Sequence, residues 1–325
     1  MQKQGYFVFG NGGRRITLEG FIVKIFPMHW IVASLVSAFF LGCYDLFTKA
    51  SVRGNAVLPV LFFANVCSAA VWLALMGARV ASPGAVPEIL WVEPLNAHQH
   101  LLLFAKSALV ASSWVCSYFA VKHLPVSLAA PIRATGPVWT LFGALLVLGE
   151  RPSWLQILGV VTTIGAFFGL SVAGRHEGIN FSKNKSVWLL ICGTLLGAVS
   201  GLYDKFLLGT VGFKASTVQA WFAIYLAAIF APLALAWKAR LWPRNEFHWR
   251  WSIPLVGLAL LAADFLYFDV LRNPEALVSL VSSFRRASVL VAFAGGLLIF
   301  HESNGRKKLP AVIGVVIGIA LTIMG

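Results

Sequence analysis

Apolar runs close to 20 residues long recur along the whole chain. Read with a window of roughly 19 residues, they lie near Met28–Thr48, Leu58–Met76, Leu101–Ala120, Leu128–Leu148, Trp154–Ala173, Val187–Leu208, Val218–Trp237, Ile253–Leu271, Ala276–Phe300 and Leu309–Met324. Hydrocarbon offers no partner for a backbone N–H or C=O, so each run predicts a helix that bonds its own backbone and spans the bilayer. Two longer polar breaks interrupt the series. Gly77–His100 holds Pro83, Pro87 and Pro94, and the charge-rich Gly174–Ser186 falls near the midpoint, where a linker between halves is expected. Residues 1–27 precede the first span. Arg14, Arg15, Glu19 and Lys24 break any apolar core there, so the segment is no secretory signal; it reads as a disordered extension or a misassigned start.

Composition agrees with this pattern. The chain is 59% hydrophobic and 12% charged, whereas soluble domains carry about a quarter charged residues, and its mean hydropathy is +0.81. Its solvent is lipid. The net charge of +14 does not point to nucleic acid, because Lys and Arg sit mostly in short segments between apolar runs, such as Arg306, Lys307 and Lys308. Cys43, Cys67, Cys116 and Cys192 lie inside predicted spans without CxxC spacing, so they read as small packing residues. His98-Gln99-His100 is too small a set to hold a metal, and neither metal nor cofactor is expected.

Self-comparison reveals a repeat. Gly42-Cys43-Tyr44-Asp45-Leu46-Phe47 closes the first span, and Gly201-Leu202-Tyr203-Asp204-Lys205-Phe206 closes the sixth with Gly, Tyr, Asp and Phe in register. Ser127, Leu128, Arg133, Gly143 and Glu150 recur at one constant offset as Ser279, Leu280, Arg285, Gly295 and Glu302. Two blocks in the same order divide the chain into residues 28–173 and 187–325, joined by 174–186. Five spans per half force the second copy upside down. The expected fold is therefore an all-α integral membrane protein of ten helices in two inverted five-helix repeats, an architecture that suits alternating access around a midplane site.

Leu124-Pro125-Val126-Ser127-Leu128-Ala129-Ala130-Pro131, Gly136-Pro137-Val138-Trp139-Thr140-Leu141-Phe142-Gly143, Leu148-Gly149-Glu150-Arg151 and Leu158-Gly159-Val160 resemble the EamA-type domain of the drug/metabolite transporter superfamily. The second half is a looser copy, with Val289 at the family proline and Phe300-His301-Glu302 in place of Leu-Gly-Glu. The resemblance implies ten helices, two halves and export or exchange of small metabolites. It does not name the cargo.

Charges within spans are the candidate chemistry, since one at the bilayer centre costs at least about 2.5–3.5 kcal/mol. Asp45, Asp204, Arg133, Arg285 and Arg286 lie inside predicted spans, and four of them are repeat-related. With a helical rise of 1.5 Å per residue, Arg133 and Arg285 sit about 8–14 Å in from the starts of their spans. Each membrane face is thus expected to carry one Asp–Arg pair, Asp45 with Arg133 and Asp204 with Arg285. Such pairs are either substrate gates whose arginines attract a carboxylate or phosphate, or static ties between helices. Lys49, four residues after Asp45, offers that carboxylate a local partner instead. Tyr44 and Tyr203, each beside an Asp, are the aromatic candidates for the site. For proton coupling the candidates are Asp264 and Asp269, which lack counterparts in the third span, and Glu150 and Glu302, which equally suit helix ends.

These readings predict a secondary transporter of a small polar or anionic metabolite, not an enzyme. It belongs in the cell (inner) membrane as a functional monomer, with a homodimer allowed but not required. The alternative is an embedded enzyme acting on a lipid or lipid-linked sugar, which lacks a recognisable nucleophile and base. Orientation stays open: loop Lys and Arg favour termini outside, whereas the family resemblance implies termini inside.

Overall fold

The computed structural model describes residues 29–82, 84–123, 132–133, 135–172, 184–241, 246–298 and 305–325. Among these residues every regular element is helical. The helices are α1 (His29–Val52), α2 (Val57–Ala81), α3 (Ala97–His123), α4 (Gly136–Val147), α5 (Trp154–Val172), α6 (Lys185–Lys205), α7 (Ala215–Lys238), α8 (Ser252–Arg272), α9 (Val278–Phe284), α10 (Ser288–Leu298) and α11 (Gly305–Met324). Six stretches are long and apolar enough to cross a membrane: Trp30–Val52, Val57–Ala81, Ala97–Ser117, Lys185–Thr210, Ala215–Lys238 and Ser252–Arg272. Gly136–Val147, Trp154–Ala166 and Val312–Met324 are shorter apolar helices. The linker expected at 174–186 lies outside the described residues up to 183, as do 1–28.

Two predicted spans look different in the structure. Ala276–Phe300 is not one helix but α9 and α10, separated by a 3-10 turn over Arg285–Ala287. Irregular backbone at membrane depth is tolerated where protein covers it or where it lines a cavity, and this turn packs against α1. Within Leu128–Leu148 the described helix α4 starts at Gly136. Pro137 sits in its first turn, where a missing N–H does no harm.

Helix packing is nearly unchanged when the two halves are exchanged, with α1–α5 taking the places of α6, α7, α8, α10 and α11. α1 packs on α8 as α6 packs on α3, and α1 on α10 as α6 on α4. α2 packs on α8 as α7 packs on α3, while α2·α7 and α5·α11 pair with their own counterparts. The α1·α8 and α3·α6 crossings each also carry a side-chain bond to backbone, with the donor on opposite members: Ser37 Oγ of α1 donates to Ala263 O of α8 at 2.7 Å, and Ser113 Oγ of α3 donates to Gly193 O of α6 at 2.7 Å. The halves interlock, so each half's first helix packs chiefly on helices of the other.

The α5·α11 crossing shows how sequence permits this. Gly159-x-x-x-Thr163 faces Gly318-x-x-x-Thr322, and each glycine receives the opposite threonine. A Cβ on Gly159 would lie 2.6 Å from Gly318 O, and one on Gly318 would lie 2.7 Å from Gly159 O. Thr163 Oγ1 and Thr322 Oγ1 donate to Gly159 O at 2.9 Å and Gly318 O at 2.8 Å, which spends their hydroxyls inside their own helices. Lipid tails are as apolar as Leu, so helices in a bilayer associate through such close small-residue contacts.

Candidate functional site

The 3-10 turn presents two successive arginines to α8 and α4. Arg285 Nη2 donates to Asp264 Oδ1 at 2.8 Å, and its guanidinium lies 4.1 Å above the Tyr267 ring. Asp264 and Tyr267 are three residues apart on α8 and share a face, so one helix offers both a carboxylate and a π-surface to the same guanidinium. Arg286 turns toward the start of α4: a Cβ on Gly136 would lie 3.0 Å from its Nη2. Arg133, three residues before Gly136, is exposed. On the facing α1, Asp45 lies in the fields of Arg133, Arg286 and Arg285, and Tyr44 lies beside it. Asp45 itself is exposed on α1. Among the described residues the cluster thus gathers Arg133, Arg285 and Arg286 with Asp45 and Asp264.

The expected Asp204–Arg285 pair does not form as a direct contact. Asp204 of α6 is ion-paired with Lys106 of α3, and Arg285 takes Asp264 instead. Lys106 is buried, with its ammonium 4.3 Å from the Phe222 ring centre and 4.9 Å from that of Phe268. Both aromatic faces stabilise a cation that water does not reach. Arg285 and Asp264 remain within electrostatic reach of Asp204, so the two ion pairs are neighbours. Tyr203 is not part of this group: its hydroxyl donates to Leu102 O at 3.3 Å and its ring stacks on Phe206.

Glu150 has a specific structural assignment. It is buried, and its carboxylate accepts from Val278 N at 2.5 Å, Ser279 N at 3.3 Å and Ser279 Oγ at 2.6 Å. It therefore caps the first turn of α9 from 128 residues away, supplying acceptors to amides that have none within the helix. Gly149 makes this reach feasible, because its φ of +65° ends α4 in the left-handed region and turns Glu150 out of line. Nothing lies within 4 Å of a Cβ added at Gly149, so Gly149→Ala is expected to cost about 1–2 kcal/mol through backbone strain alone. Thermal unfolding in detergent checks this value.

The remaining proton-coupling candidates lie elsewhere. Asp269 pairs with Arg272 at 3.7 Å at the partly exposed end of α8, and Glu302 falls outside the described residues. Sequence reasoning overlooked Lys106, although a lone lysine in the middle of the Leu101–Ala120 run was a signal. It names Arg286 among the intramembrane charges but gives it no place; that Arg286 turns toward α4 while Arg285 takes Asp264 depends on the 3-10 turn.

Known proteins are consistent with this architecture. A solved crystal structure superposes with a TM-score of 0.68 at 13% identity, covering 91% of this chain and 97% of that one, which shows a shared fold. An uncharacterized transporter of Bacillus subtilis (strain 168), YcxC, is 22% identical over 298 residues, 89% of this chain and 90% of that protein. A probable terminal-alkyne amino-acid exporter of Streptantibioticus cattleyicolor is 28% identical over 100 residues, 30% of this chain and 32% of its own. The model of the EamA-like transporter family matches residues 28–172. Residues 28–172 thus match the EamA-like transporter family, and this match together with the apolar helices supports a multi-pass membrane transporter.

Proposed function

We propose that this transporter carries a small anionic or carboxylate-bearing metabolite through the central cavity, by alternating access of two inverted halves. The observation that carries the reading is the break in the α9–α10 span, which brings Arg285 and Arg286 together with Arg133 in the field of Asp45. Planar guanidinium groups bind carboxylate and phosphate through paired hydrogen bonds, and discontinuous helices are a recurring way to build such sites. The packing that survives exchange of the halves supports reversal between two equivalent arrangements. An amino acid, the cargo in the printed name of the Streptantibioticus relative, also carries a carboxylate. The family and its transporter-named relatives favour transport over the enzymatic alternative.

The test is uptake into proteoliposomes of labelled glutamate, succinate and glycerol phosphate, with and without a pH gradient. Arg133→Ala, Arg285→Ala and Arg286→Ala are each expected to lower uptake of the transported anion at least tenfold in protein that elutes as the native chain does. Uptake that all three variants retain, or a native chain that moves only cations, would overturn the arginine-centred reading.

A further inference from the structure

The connection between α8 and α9 is gripped at both ends by opposite charges. On the α8 side, Lys205 Nζ of α6 donates to Leu271 O at 3.2 Å, Asn273 O at 2.8 Å and Ala276 O at 2.8 Å. On the α9 side, Glu150 accepts from Val278 N and from both donors of Ser279. A cation meets the carbonyl end of one helix and an anion meets the amide end of the next, so each charge opposes the partial charge of its helix terminus. The two clamping residues also feel one another. Both ends of a five-residue connection, 273–277, are thereby fixed to parts of the chain far away in sequence.

What the clamp holds is short. α9 has seven residues and ends directly at Arg285, so less than two turns separate Glu150 from the arginine turn. A helix of this length has little stability of its own and takes its position from what pins it. The lysine belongs to one copy of the repeated block alone: Lys205 stands where the other copy has Leu46, an apolar residue packed over Gly295.

We infer that Lys205 and Glu150 are positioning residues for the arginine site, acting through α9 to hold Arg285 and Arg286 in register with α1 and α4. This rests on the arginine-centred reading above, but the position of α9 can be measured without any solute.

The experiment replaces Ser282, half-buried on α9, with cysteine in a full-length chain whose four native cysteines are changed to serine or alanine. Labelling by N-ethylmaleimide in proteoliposomes is compared among the parent, Lys205→Met, Glu150→Ala and the conservative variants Lys205→Arg and Glu150→Gln. Uptake of labelled glutamate, succinate and glycerol phosphate is measured on the same preparations. Lys205→Met and Glu150→Ala are expected to speed labelling at least fivefold and to raise KM at least tenfold, with kcat changed less. Lys205→Arg, which keeps the donors, is expected to restore both readouts. Glu150→Gln keeps the volume and one neutral acceptor, so it gives an intermediate labelling rate even if Glu150→Ala does not fold.

Labelling that stays at the parental rate in Lys205→Met and Glu150→Gln overturns the clamp, and faster labelling with unchanged KM overturns its positioning role while leaving anion transport standing. If the parent moves none of the three solutes, the arginine-centred reading is what fails for them, and the labelling rates alone decide whether the clamp holds α9.

Discussion

Lys106→Ala is expected to destabilise the protein by about 3–5 kcal/mol, the loss that follows when one partner of a buried ion pair is removed and the other is left uncompensated. The side chains of Lys106 and Asp204 are 2% and 6% exposed, so water cannot replace the missing ammonium. Asp264 lies close enough to Asp204 to worsen the position of an orphaned carboxylate. Arg285 is the nearby cation able to respond, and only by weakening its own bond to Asp264. The measurement is thermal unfolding in detergent, with Lys106→Met/Asp204→Leu as the control. The double variant removes both charges and is expected to recover most of the loss, since apolar residues often substitute for a buried pair without penalty. A single variant within about 1 kcal/mol of the native chain would place Asp204 in contact with water.

Gly159→Leu and Gly318→Leu are each expected to lower stability by about 1–3 kcal/mol or more, because the side chain has no space to enter. At each position the first added carbon meets the carbonyl oxygen of the opposite glycine and a threonine hydroxyl already bonded within its own helix. Backbone cannot turn away as a flexible side chain can, so α5 and α11 have to separate. Gly165→Leu is the control in α5, since nothing lies within 4 Å of a Cβ there. Unfolding temperatures of the three variants check the expectation; losses no larger than that of Gly165→Leu would mean that the α5·α11 crossing accommodates the added side chains.

Most of the architecture was legible in sequence because a bilayer leaves few options. A run of about 20 apolar residues has to be a helix, and so the boundaries of α1, α2, α3, α6, α7 and α8 follow closely from hydropathy. The repeat was visible as a sequence pattern in the Gly-x-Tyr-Asp-x-Phe blocks. Hydropathy could not show the break at Arg285–Ala287. An averaged window sees Ala276–Phe300 as one apolar run in which two arginines are diluted.

The site divides along the same line. Sequence by itself determined the membrane helices and placed Asp and Arg residues within them, whose expense demands a purpose. Tertiary structure alone decided the partners. Asp204 goes to Lys106 rather than Arg285, Arg285 goes to Asp264, and Glu150 reaches across 128 residues to cap α9. The physical reason is that hydropathy is a sum over neighbours in the chain, whereas a buried charge is satisfied by whichever opposite charge or helix end the packed bundle places within about 3 Å of it.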